Sequence, residues 1–198
     1  MVVVHKAELL ALDPDMRAFA LVGAFMGHFA LLEQGIDTAV GEVVGIAGVK
    51  RVIIARNMSF DDKIKTLRTL VNFIVLDTAV AKNFDELAKR ARACGEIRNI
   101  VAHTPFRRSE ISDGVQFFVV KASSKLDIPD MDWSVDEFLQ QIDNINDIDN
   151  GLRSIESRMS YQRIAEALLG QPDRIAPLSK LGGLFGLGGA LLANDDDA

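Results

Sequence analysis

A chain of 198 residues with 48% hydrophobic and 25% charged side chains is long enough for one well-buried core and short for two, and disorder is expected only at its ends. A single cysteine, Cys94, excludes an intramolecular disulfide, so there is no disulfide partner and no secreted disulfide scaffold. The net charge of −6 argues against a protein that coats nucleic acid without specificity.

The opening residues MVVVHKAELLALDPD lack a basic region ahead of a long apolar stretch, so they do not read as a signal peptide, and the cytoplasm is the expected location. Residues 1–12 read as an amino-terminal extension. The first long helix then starts at a clear signal: Asp13 caps, Pro14 suits the first helical position, and Asp15 favours the positive end of the helix dipole. Phe19, Val22, Met26, Phe29, Ile36, Val40 and Val43 recur at helical spacing as far as about Val44, where Gly41, Gly45 and Gly48 blur the end. Apolar residues cover much of its circumference, which predicts a central place in the fold or in an oligomer. His28 reads as buried or interfacial.

Ser59 and Asp62 form a capping box that opens a second helix, with Ile64, Leu67, Val71, Ile74 and Val75 on one side. A third begins near Asn83 or Asp85 and stops at Thr104, because Pro105 disfavours helical geometry in the residue before it. Alternation over 107–112, then Asp113-Gly114, then Val115, Phe117 and Val119 predicts a β-hairpin at about 106–120. A polar loop with Pro129 follows. Ser134 and Glu137 make another capping box, and Val135, Phe138, Ile142, Ile145, Ile148 (or Asp149), Leu152, Ile155 and Met159 step by three and four, with Trp133 anchoring the start. The expected fold is mainly α: a bundle of four to five helices over 13–170, with a small hairpin inserted after the third long helix. Residues 171–198 read as a flexible Gly/Leu-rich tail ending in Asp195, Asp196 and Asp197, whose apolar run is far below the roughly 20 residues of a membrane span. A surface-seeking tail is the minority reading, and its aspartates weaken it on anionic lipid. Membrane association is not expected.

Charge is uneven along the chain. Residues 82–108 hold seven Lys/Arg against three acids, so this window is +4 and the remainder −10. A solvated helix face and a local anion site are both compatible with that pattern. On a helical wheel of the third helix, Phe84, Leu87, Ala88, Ala91, Cys94, Gly95, Val101 and Ala102 form one apolar stripe with Arg98 in its middle. An arginine there must snorkel, pair with a buried acid, or face a site or interface; Glu33 on the first helix is a candidate partner. His103 lies about 140° around from Arg98, whereas Asn99 and His103 are only about 40° apart. Arg98 and His103 converge if the helix loosens before Pro105 or if two chains meet across a two-fold axis. Ile97 and Ile100 give the helix a second apolar face that a dimer would bury. A structural account is also open: a histidine in a last helical turn is favourable there by its charge alone, and an arginine on an apolar stripe often makes a structural ion pair.

The string EIRNIVAHTPF resembles the Arg-Asn-x-x-x-His signature of HEPN-domain proteins, the bacterial kind written RNxxAH, with Arg98, Asn99 and His103 matching position by position and Ala102 fitting the Ala-His pair. The resemblance extends weakly over about residues 15–160: a long first helix bearing Glu33 in ALLEQ, a second entered by SFDDK, and a hairpin after the motif. It implies a helical bundle that dimerises and joins both motifs in one cleft. It further implies a metal-independent endoribonuclease, or an RNase-derived toxin or defence protein, with RNA as substrate and an antitoxin protein as a possible partner. Arg98, Asn99 and His103 are the implied catalytic residues and Glu33 a supporting one. His103 would exchange the proton of a ribose 2′-hydroxyl or of the leaving oxygen, Arg98 would stabilise charge at phosphorus, and Asn99 would orient the phosphate or the histidine. No cofactor or metal is expected, since no His/Cys/Asp/Glu cluster has ligand spacing. The alternative is a non-catalytic helical dimerisation, RNA-binding or interaction module.

Overall fold

Asp13 caps the longest helix as its sequence requires: its side chain accepts the backbone N–H groups of Asp15 and Met16, and Pro14 occupies the first turn. In the computed structural model, which describes residues 5–74, 78–122 and 126–156, this helix is α2. The elements in chain order are α1 (Lys6–Ala11), α2 (Pro14–Val44), α3 (Gly48–Arg56), α4 (Phe60–Ile74), α5 (Thr78–His103), β1 (Phe106–Arg108), β2 (Val115–Phe118), β3 (Lys121–Ala122), β4 (Leu126–Asp127), β5 (Asp130–Trp133) and α6 (Val135–Glu156). The protein is mainly α, a helical bundle with a small antiparallel β element after the long α5. All described residues belong to the compact unit Met1–Arg158. Val75, Met159, the end of the expected domain at 170 and the tail at 171–198 lie outside the described residues.

α2 is the hub, packing on α1, α3, α4, α5, β1 and above all α6. By length and composition Pro14–Glu42 could cross a membrane; here its inward residues Ala18, Leu21, Phe25, Phe29, Leu32 and Ile36 are buried within the bundle. Opposite them α6 buries Val135, Phe138, Ile142, Ile145, Ile148 and Leu152, the stripe its periodicity predicts. A polar contact crosses this seam, from His28 Nδ1 to Asn146 Oδ1 at 2.9 Å, which satisfies a buried ring nitrogen. Of the α2 residues expected inside, Phe19 is instead exposed and Val22 and Met26 are half-buried. An all-round apolar helix does not reveal its inward phase. α1 arises within the expected extension, burying Leu9 and tying Lys6 to Asp136 at 2.6 Å.

The hairpin of β1 and β2 forms, but it gains a third strand. The order is β1-β2-β5, with Phe106 opposite Phe117 and Val115 opposite Trp133. Residues 109–112, expected to extend the first strand, make a turn instead. Ser109 Oγ accepts the N–H groups of Ile111 and Ser112, and both serine hydroxyls donate to Asp132. Gly114 is required there, since a Cβ would overlap the backbone of Trp133 and Ser134. Trp133 sits with Phe25, Phe117 and Phe138 at centroid separations of 6.4, 5.6 and 5.1 Å, so the sheet closes one end of the core.

Candidate functional site

α5 includes Thr78, well ahead of the expected Asn83–Asp85, and stays regular to His103. The N–H of Thr104 still donates to the carbonyl of Ile100 at 2.9 Å, so the last turn is intact rather than loosened; Pro105 then ends the helix and its carbonyl receives the N–H of Phe118. The buried stripe is the expected one, Phe84, Leu87, Ala88, Ala91, Cys94, Gly95 and Val101, except that Ala102 is exposed. Cys94 is interior; burial pushes its thiol pKa up, which makes it a poor nucleophile.

Arg98, in the middle of this stripe, is half-buried. Its Cζ lies 5.1 Å from the centroid of the Phe29 ring, and Nη1 donates to Asn99 Oδ1 at 3.0 Å. The guanidinium therefore uses an aromatic face and a neutral amide, and no carboxylate neutralises it among the described ion pairs. The other basic residues of the +4 window are mostly committed: Arg92 to Asp61 at 2.8 Å, Lys89 to Glu86 at 2.9 Å, Arg107 to Glu110 at 3.2 Å and Arg108 to Asp15 at 3.7 Å. A broad anion-binding face does not survive this pairing.

Glu33 does not reach Arg98 as an ion pair. Its Oε1 accepts from Lys63 Nζ at 2.9 Å, and the same ammonium lies 2.7 Å from Asp37 Oδ1. Lys63 is only 4% exposed, and two carboxylates from one face of α2 are what make that burial tolerable. Sequence reasoning passed over Lys63, although a charge at the edge of the stripe Ile64, Leu67 and Val71 was a signal of the kind that singled out Arg98.

Glu33, Arg98 and Asn99 nevertheless meet on one cleft of about 470 Å³, bounded by α2, the start of α4 and α5; Phe60, Asp61 and Glu96 also line it. His103 does not line it. It is exposed at the end of α5, on the same side of the helix as Asn99. One chain thus gathers three of the four candidate residues and leaves the histidine apart.

Next to this cleft α2 presents an apolar stripe to solvent. Met16, Phe19, Gly23, Gly27 and Ala30 are all exposed and fall within about 80° of one another at 100° per residue. Among the described residues, nothing outside the helix itself lies within 4 Å of where a Cβ on Gly23 or Gly27 would sit. Phe19 touches Phe106, just beyond the motif, at 5.2 Å, and Glu33 on the neighbouring side of α2 lines the cleft. The stripe and the motif therefore share one face of the molecule. In comparisons with known proteins, no family model, curated protein or solved structure matches the chain.

Proposed function

We propose that the chain is an HEPN-like, metal-independent endoribonuclease, or an RNase-derived toxin or defence protein, that acts as a homodimer. The observation that carries this reading is the exposed stripe of Met16, Phe19, Gly23, Gly27 and Ala30 beside Arg98 and Asn99. The two glycines permit close approach of a second α2, and crossing two such helices across a two-fold axis sets one motif against the other. With α5 regular to its end, a second copy is the route by which Arg98 and His103 meet.

In that composite cleft His103 takes the proton of the ribose 2′-hydroxyl as O2′ attacks phosphorus. The P–O5′ bond breaks, and the imidazole of the other copy protonates the departing oxygen. The products are a 2′,3′-cyclic phosphate and a 5′-hydroxyl end. Arg98, free of any carboxylate partner among the described ion pairs, stabilises the extra negative charge on the phosphorane oxygens, and Asn99 steadies the guanidinium. The attacking hydroxyl belongs to the substrate, which restricts the reaction to RNA.

The test is cleavage of a mixed RNA pool in EDTA by wild type, Arg98→Ala and His103→Ala. Loss of an acid–base group lowers the rate by about 10²–10⁴-fold; equal degradation by wild type and His103→Ala would remove the catalytic reading. A non-catalytic dimerisation or interaction module is the second reading. It is favoured by the contacts Arg98 already makes with Phe29 and Asn99. It expects Arg98→Ala to weaken the dimer in sedimentation equilibrium with no nuclease activity to lose.

A further inference from the structure

We infer that the cleft lined by Glu33, Phe60, Glu96, Arg98 and Asn99 is a base pocket that selects guanine in single-stranded RNA, a specificity that rests on the ribonuclease reading. Its volume, about 470 Å³, is of the size that takes a small ligand. One wall is aromatic. Phe60 lies directly on the α5 backbone, since a Cβ on Gly95 would stand 2.9 Å from the ring, and buried Phe29 backs it at 4.9 Å with its ring tilted by 47°. The Phe60 ring is the surface on which an unpaired base would stack.

The cleft carries charge of both signs. Arg98 supplies a cation, Glu33 and Glu96 supply acceptors, and Asp61 and Arg92 neutralise each other. A site for phosphate alone has no use for carboxylate acceptors, and a site for a cation would not carry Arg98. A nucleotide whose base offers donors matches both signs.

Carboxylates accept and do not donate. Guanine alone among the four RNA bases offers two adjacent donors, N1–H and the N2 amino group, on its pairing edge. Adenine and cytosine place an acceptor beside their amino group, and uracil places its N–H between two carbonyls. A carboxylate can therefore receive guanine through two parallel hydrogen bonds and meets repulsion from an acceptor on each of the others. Glu33 is the better placed of the two acids. One oxygen is fixed by buried Lys63 at 2.9 Å, and the carboxylate keeps further acceptor positions for the base. Lys63 is then a positioning residue: it holds the reading group without touching the RNA.

Titration of the intact protein with guanosine, adenosine, cytidine and uridine 5′-monophosphates, followed by NMR chemical shifts, tests the pocket without requiring catalysis. Guanosine monophosphate should bind about 10- to 100-fold more tightly than the other three, as one bidentate pair discriminates by that much. Glu33→Gln should abolish the preference. Lys63 keeps Asp37 as a counter-ion at 2.7 Å in that variant, so the fold has a reason to survive, and circular dichroism verifies it. Glu33→Asp, which keeps the charge and shortens the reach, is the second variant and should retain a weakened preference. Equal affinity for guanosine and adenosine monophosphates, or a guanine preference untouched in both variants, overturns the inference. A guanine preference in a protein that cuts no RNA upholds the pocket and sinks the ribonuclease reading. Cleavage of RNA without regard to guanine does the reverse.

Discussion

On the α6 side of α2, Leu21, Phe25, Leu32 and Ile36 are buried in company with Phe138, Ile142, Ile145 and Ile148, and among the described residues polar groups enter only at two places, His28, answered by Asn146, and Asp149 beside Gly35, answered by Arg153 of its own helix. On the cleft side the same helix carries Glu33 and Asp37, binds the ammonium of Lys63 and offers Phe29 to the guanidinium of Arg98. The first side is held by shape and by water exclusion, which are tolerant of pH and salt. The second buries charge, which costs more than hydrophobic packing of the same volume and leaves polar atoms facing a cleft. A helix that met only the demands of stability would have no reason to differ so much between its two sides, and the costlier one is where a function has to be sought.

The largest effect that separates the two sides is truncation of Phe138. Its side chain is fully buried against Phe25, Phe117 and Trp133, so Phe138→Ala should cost about 3–5 kcal/mol in urea unfolding. His103→Ala, on an exposed side chain, should stay within about 0.5 kcal/mol of wild type. Comparable losses in both variants would erase the distinction between scaffold and site.

Lys63→Met comes next. Removing one member of a fully buried pair costs roughly 3–5 kcal/mol, and the partial exposure of Glu33 and Asp37 reduces this to about 1–3 kcal/mol. Stability that is unchanged at neutral pH would mean that the ion pairs do not hold the cleft side together.

A smaller loss is expected at the entry to α6. Ser134 Oγ accepts the N–H of Glu137 at 3.3 Å, and the Ser134 N–H is returned to Glu137 Oε2 at 2.7 Å. Ser134→Ala should lower stability by about 0.5–2 kcal/mol, measured by the same unfolding curves.

That reciprocal box, the Asp13-Pro14 start of α2, the Ser59 cap of α4 and the Pro105 stop of α5 were all legible in the sequence, because each obeys a rule acting over a few residues. What escaped was made by tertiary context. β5 spells Asp130-Met131-Asp132-Trp133, an alternation only four residues long with aspartate, a poor strand former, at every other position, and it becomes a strand by pairing with β2. α3 is nine residues with apolar and basic groups on every side, and only Ala55 is buried. For the site, Arg98 stood out because charge within an apolar stripe is a local anomaly. The cleft did not, since α2, α4 and α5 have to come together before Glu33, Phe60 and Asn99 share a wall.

The smallest effect concerns the charges that bind α4 to α5 beyond the cleft. Asp85 on α5 lies 3.1 Å from Lys89 and 2.5 Å from Arg68 of α4, and the hydrogen bonds from Lys89 and Arg68 hold its carboxyl below the ordinary value of 3.8. A carboxylate whose pKa is lower in the folded than in the unfolded chain contributes stability above the unfolded value. That contribution fades as pH falls through 3.8 and on through the folded value. Asp85→Asn removes it at the source. The stability gap between wild type and Asp85→Asn should be below about 1 kcal/mol near neutral pH, as for other partly exposed pairs, and should close on acidification. Added salt should narrow the neutral-pH gap by screening, while the Phe138→Ala deficit stays unchanged. A gap that widens as the pH drops would mean that Asp85 is held neutral rather than ionised in the fold, and the contrast between a salt-sensitive α4–α5 side and a salt-indifferent α2–α6 seam would fail with it.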